Sequence, residues 1–214
     1  MIEQRKARGC LFYTGIAVAI AAAVLITASY IGYRYARGLI AEFSDTQSMP
    51  VPTVQLSETD LNRVRERVMT FSRAVEQGTA VEPLSLTADD VNALIVGNSN
   101  LVTVRGKLFI SGMEGTNVLA QLSVPAEDLG FKPLQGRYVN ATGQFTVGFS
   151  NGVLNVNAQS LSAKDKPFPD TFMGRIRPQN FAYRLNNDPD GKAALARLED
   201  VRIEGGRLIV VPKR

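Results

Sequence analysis

No charged residue occurs between Gly9 and Tyr33. Within that run, LFYTGIAVAIAAAVLITASYIGY is long enough, at about 1.5 Å of helical rise per residue, to cross about 30 Å of hydrocarbon. A helix buried in a water-facing domain normally keeps a polar face, and this segment has none, so it reads as a transmembrane helix over 11–33. Arg5, Lys6 and Arg8 precede it, while Arg34 and Arg37 follow it and are soon diluted by Glu42 and Asp45. The positive-inside rule then keeps the 1–10 tail cytoplasmic and exports the rest of a single-pass protein. A cleaved signal peptide is the rival reading, with Thr27 and Ser29 as small residues near a cleavage site. The run exceeds the usual apolar core of about 7 to 15 residues and leads directly into arginines, which favours a retained signal anchor.

Cys10 is the only cysteine, so the exported part has no intrachain disulfide and must be held by its core. Of 24 basic and 20 acidic residues, Arg5, Lys6, Arg8 and Glu3 precede the span, which leaves a nearly balanced 21 and 19 beyond it. That balance lacks the concentrated basic footprint that nucleic-acid binding requires. The chain contains no histidine, which removes Ser-His-Asp and Cys-His catalysis along with the common zinc, haem and copper ligands. We therefore expect no cofactor.

Residues 34–56, with Ser44, Ser48, Pro50 and Pro52 and no sustained period, read as a juxtamembrane stalk. The domain is expected over 57–214. It opens with a helix capped by Ser57, with Asp60 three residues on and Gly78 as its stop. Leu61, Val64, Val68, Phe71 and Val75 recur at steps of three and four and share one face. That stripe either packs onto its own domain or forms the seam of a homodimer, so these five residues are candidate partner contacts. A second helix starts at Thr87, with Asp90 completing a capping pattern, Val91, Leu94 and Ile95 as its apolar face and Gly97 at its end. Asp89 and Asp90 suit the positive end of that helix better than acid–base or metal chemistry.

From Leu101 the period becomes two. LVTVRGKLFISGM, NVLAQLSVP, YVNATGQFTVGF and VLNVNAQSL read as an antiparallel meander, packed against the two preceding helices in an α+β fold. Short helices are expected over 170–176 and 192–198, followed by a hairpin around Gly205-Gly206. GFSNG at 148–152 matches the G-x-S-x-G pattern of serine hydrolases, but strand-like sequence lies on both sides where that motif needs a strand and then a helix. Asn151-Gly152 suits a type I′ turn, which makes Ser150 a hairpin residue rather than a nucleophile. Without histidine, only Lys164 or Lys166 would remain as its base. DPDG at 188–191 begins like a calcium loop, but Lys192 and Ala193 occupy its fifth and sixth positions, so Asp188 or Asp190 reads as a helix cap. Asn140-Ala141-Thr142 is a glycosylation sequon inside a strand. In GRIRPQNFAYR, Arg175, Arg177 and Arg184 mingle with aromatic residues and are candidate contacts for anionic lipid.

Leu86 to Ile95, LTADDVNALI, after a single N-terminal span resembles the YpmS-like proteins, membrane-anchored bacterial proteins with a β-rich exported domain. The resemblance implies the same layout and brings no catalytic residues. The function expected is that of a non-catalytic scaffold or accessory binding domain in the cell envelope, with an envelope protein or lipid as partner. The alternatives are a module enclosing a lipid or apolar ligand and an enzyme of unfamiliar type.

Overall fold

A computed structural model of the chain describes residues 25–27, 29–30, 34, 38, 40, 42–54, 57–97, 104–129 and 135–213. The chain divides into two compact units, Met1–Glu42 and Phe43–Arg214. Every described residue of the first is helical. The expected 1–10 tail and most of the expected 11–33 span lie outside the described residues, among which no helix is long and apolar enough to cross a membrane.

The second unit is α+β, with helices α1 (Glu58–Glu76) and α2 (Ala88–Gly97) before most of the strands and α3 (Asp170–Ile176), α4 (Tyr183–Asn187) and α5 (Pro189–Leu195) after β6. The strands are β1 (Leu84–Leu86), β2 (Leu108–Glu114), β3 (Asn117–Pro125), β4 (Tyr138–Ser150), β5 (Val153–Ala163), β6 (Lys166–Pro167), β7 (Leu198–Glu204) and β8 (Arg207–Pro212). They form two antiparallel sheets rather than one meander: a five-stranded sheet in the order β2-β3-β4-β5-β6 and a three-stranded sheet in the order β1-β8-β7. The second sheet arises because the C-terminal hairpin returns to pair with β1, Leu86 opposite Leu208. Three residues, LSL, are too few to carry a period of two, so β1 leaves no pattern in the sequence.

Strand alternation sorts the five-stranded sheet into two faces. In register across β2, β3 and β4, Ile110, Ala120 and Gly143 share the inner face with Leu122, Ala141 and Leu161. The other face carries Gln121, Thr142, Gln144, Ser160 and Ser162. Ile95 from α2 and Ile203 from β7 fill the inner face beside Ile110, Met113 and Ala120. Burying each such isoleucine contributes about 1.5–3 kcal/mol. Glycine is required at 143, where a Cβ would lie 2.6 Å from Leu161 Cδ2 and 2.9 Å from the Phe145 ring. Of the two N-terminal helices, α2 packs on the large sheet at β2, while α1 packs chiefly on α2.

Both expected N-caps form. Ser57 Oγ accepts the Asp60 amide at 3.2 Å. At α2 the Thr87 amide donates to Asp90 Oδ2 at 2.9 Å while the Asp90 amide donates to Thr87 Oγ1 at 3.1 Å, a reciprocal capping box. Two helix boundaries and one face differ from expectation. α5 runs over Pro189–Leu195 instead of 192–198, because Asp188 Oδ2 caps it at the Gly191 amide and Pro189 takes the first turn, where its missing N–H costs nothing. Leu198 therefore begins β7. On α2 the buried residues are Asn92, Ala93 and Ile95, with Val91 and Leu94 only half-buried.

The stalk expectation fails over 43–54. Phe43 is buried against Phe168, with ring centroids 4.9 Å apart, and Val51 is buried as well. Asp45 and Tyr138 exchange two backbone hydrogen bonds of 2.8 Å. The Met49 amide donates to both Ser123 Oγ and Asn140 Oδ1 at 3.0 Å. Serine and proline mark this segment as irregular in backbone, but an irregular backbone can still pack: it is a strap laid on the β3–β4 end of the sheet, and the compact domain begins at Phe43.

Candidate docking surface

Three asparagines organise the exposed surfaces of this domain. Edge strand β2 would leave the Ile110 amide and carbonyl unpaired, but Asn92 on α2 meets both: its Nδ2 donates to the Ile110 carbonyl and its Oδ1 accepts the Ile110 amide, each at 2.8 Å. At the opposite edge β6 pairs only with Ser162 and Ala163 of β5. The rest of that edge is closed by the segment after α3. Asn180 donates to the Leu154 carbonyl at 2.9 Å and accepts from the Val156 amide at 3.1 Å. Asn186 donates to the same Leu154 carbonyl at 2.7 Å and accepts the Leu154 amide at 3.0 Å. The Phe181 amide adds a bond of 2.8 Å to the Val156 carbonyl. The side-chain amides thus supply what a further strand would have supplied.

This bolting fixes which groups face outward. Met173 and Ile176 of α3 are buried, while Phe181, Tyr183 and Leu185 stand 42 %, 67 % and 44 % exposed. The Phe181 ring meets Phe145 edge-on at 5.7 Å, so one side of it is held and the other is presented. Gly191 lets α5 approach α4 closely, since a Cβ there would collide with the Leu185 carbonyl oxygen. The result is a short segment that carries three exposed apolar or aromatic side chains on an ordered base.

Of the three candidate arginines, Arg177 is committed to the fold: Nη1 lies 3.4 Å from Asp170 Oδ1 and Nε donates to the Gln159 carbonyl at 3.2 Å. Arg175 and Arg184 are exposed and have no ion-pair partner among the described residues. The helical stripe divides differently. Val64 and Phe71 are buried within the domain, and Leu61, Val68 and Val75 are half-buried. Arg67 ties α1 to its neighbours through Asp90, at 3.4 Å, and the Ser85 carbonyl, and Arg65 reaches the Gly97 carbonyl at 3.4 Å.

GFSNG forms the β4–β5 hairpin. Asn151 and Gly152 have φ of 52° and 75°, as a type I′ turn requires, and exposed Ser150 pairs across to Val153. Its Oγ accepts a long 3.4 Å bond from Asn155. Lys164 lies beyond the far end of β5, whose length alone is about 35 Å at the usual rise per residue. There Lys164 Nζ sits 2.8 Å from Asp45 Oδ1. Lys164 donating to Asp45 is the main reason that its carboxyl titrates below the ordinary carboxylate value; burial opposes the shift, and Asn140 and the charge of Arg137 reinforce it. Asn140 itself donates to Asp45 Oδ2 at 3.0 Å and to the Gln47 carbonyl at 3.1 Å, so the sequon amide is occupied by the strap. On the same outer face Ser111, Leu119, Thr142, Gln144, Ser160 and Ser162 line a shallow concavity of about 240 Å³ with neutral groups.

The roles of Asn92, Asn180 and Asn186 were missed from the sequence. One signal was available: Asn92 stands four residues after Ala88 and three before Ile95, a polar residue centred in a helical apolar stripe. No family model, no curated protein and no solved structure matches this chain.

Proposed function

We propose that the chain is a membrane-anchored, extracytoplasmic binding domain of the cell envelope that works by docking and not by catalysis. The observation that carries this reading is the outward presentation of Phe181, Tyr183 and Leu185 on a segment bolted to the β5 edge. Ordered apolar side chains held toward solvent lower the entropic cost of binding, because the surface is already in its bound shape. The chemistry-bearing groups point the same way: Asp45, whose titration is depressed, holds the strap, and the serine of the hydrolase-like motif occupies a hairpin turn. The inner sheet face is filled by Ile95 and Ile203, which favours an external contact over an enclosed apolar ligand.

Labelling of single cysteines in intact spheroplasts tests both halves of the reading, since Cys10→Ser leaves a chain with no other thiol. Tyr183→Cys and Ser160→Cys place thiols at exposed positions on the patch and on the polar sheet face. With a membrane-impermeant maleimide, position 160 should react and position 183 should react at least about tenfold more slowly, the protection expected of a contact held for most of the time. Equal rates at both positions would end the docking reading. Labelling of position 160 only after permeabilisation would end the extracytoplasmic one.

A further inference from the structure

We propose that the patch docks on an anionic lipid surface, with Phe181, Tyr183 and Leu185 entering the headgroup region and Arg175 and Arg184 meeting phosphates. This rests on the docking reading above and names its partner. Three observations carry it. First, no acidic residue occurs between Asp170 and Asp188, while Arg175, Arg177 and Arg184 all fall in that stretch, so the charge of this segment complements an anionic surface. Arg177 already has Asp170 and the Gln159 carbonyl, which leaves Arg175 and Arg184 for an external partner. The next carboxylates are Asp188, which caps α5, and Asp190 in its first turn.

Second, the composition is that of an interface. Tyr183 is an amphipathic ring at 67 % exposure, Phe181 and Leu185 supply purely apolar surface beside it, and such side chains settle at the boundary of headgroups and acyl chains. Third, a bilayer is always within reach if the 11–33 segment spans it. Nine residues lie between Tyr33 and Phe43, where the compact domain starts, and the ten residue-to-residue steps across them span at most about 35 Å when fully extended. A tether of that length holds a weakly lipophilic patch at a high effective concentration of lipid, so modest affinity suffices.

The test uses the full chain, Cys10→Ser, at one copy per nanodisc, with a nitroxide on Leu185→Cys and, as a control, on Ser160→Cys. Discs are made of phosphatidylcholine alone or mixed with phosphatidylglycerol, and collisional relaxation by oxygen is compared with that by a water-soluble nickel chelate. In the mixed discs oxygen should dominate at position 185 and nickel at position 160. Arg175→Glu with Arg184→Glu should return position 185 to nickel accessibility; each arginine near an anionic surface shifts the docked equilibrium about fivefold, and two removed together about 25-fold. Both side chains are solvent-exposed, so unchanged thermal melting checks that the fold is retained. A label at position 185 that stays nickel-accessible in mixed discs overturns the lipid proposal. If position 183 is nevertheless protected in spheroplasts, docking stands and the partner is a protein. Oxygen dominance at position 185 that is the same with and without phosphatidylglycerol also overturns it, because the arginines would then have no part.

Discussion

The two edges of the five-stranded sheet are closed by the same chemistry in different surroundings. At β2 one asparagine, 2 % exposed, meets the amide and carbonyl of one residue from a regular helix. At β5 two half-buried asparagines, from a turn and a short helix, share the Leu154 carbonyl and divide the remaining groups. A carboxamide is well suited to both, being the one neutral side chain that donates and accepts in the geometry of a peptide group. What differs is access to water. A backbone group freed at β2 stays dry and unpaired, whereas one freed at β5 is partly rehydrated or picked up by the second asparagine. The dry edge is therefore the structural one, and the wetter edge is where the exposed patch is built.

The largest effect expected is at the dry edge. Asn92→Ala leaves the Ile110 amide and carbonyl without partners and opens a small void, and should lower unfolding free energy by about 3 kcal/mol in denaturant titration. Asn92→Asp sharpens the point, since a carboxylate cannot donate to the Ile110 carbonyl and would be buried as a charge; it should be at least as damaging. A loss below about 1 kcal/mol for either would break the comparison.

At the wetter edge Asn180→Ala or Asn186→Ala alone should cost about 1 kcal/mol, because the Leu154 carbonyl keeps its other donor. The double substitution removes both donors and should exceed the sum of the single effects by about 0.5–1 kcal/mol in a double-mutant cycle. Simple additivity would mean that water already satisfies this edge.

Legibility followed the same division. Features set by neighbours in the chain were readable: the caps at Ser57 and Thr87, the Asn151-Gly152 and Gly205-Gly206 hairpins, and the apolar alternation of Val118, Ala120, Leu122 and Val124. Features set by a distant partner were not. Nothing in LSL announces that β8 will return to it, and nothing in DTQSM says that Ser123 and Asn140 will receive the Met49 amide. Of the candidate site residues, Arg175 and Arg184 face solvent, while Arg177, Val64 and Phe71 are engaged within the domain. Sequence marks residue types that suit a surface, but only the fold decides which of them remain available to it.

The strap extends the comparison to a third closure, one to which an ion pair contributes. Asn140 again supplies a carboxamide, here donating to Asp45 and Gln47, and Lys164 supplies the ion pair. Since the folded Asp45 titrates below its ordinary value of 3.8, its contribution is fully present above that value and is lost as pH falls through the lower, folded one. Both partners are partly exposed, so solvent screening limits the amount to about 0.5 kcal/mol. Stability measured in acid should therefore fall below pH 4 slightly more steeply in the parent chain than in Lys164→Ala, which removes the main cause of the shift. Asn92→Ala, by contrast, should lower the whole profile without changing its shape, since that carboxamide does not titrate. If Lys164→Ala leaves the acid limb unchanged, the strap is held by Phe43 packing, the Arg137 bonds to Ser44 and its neutral hydrogen bonds, with no share from the Asp45 ion pair.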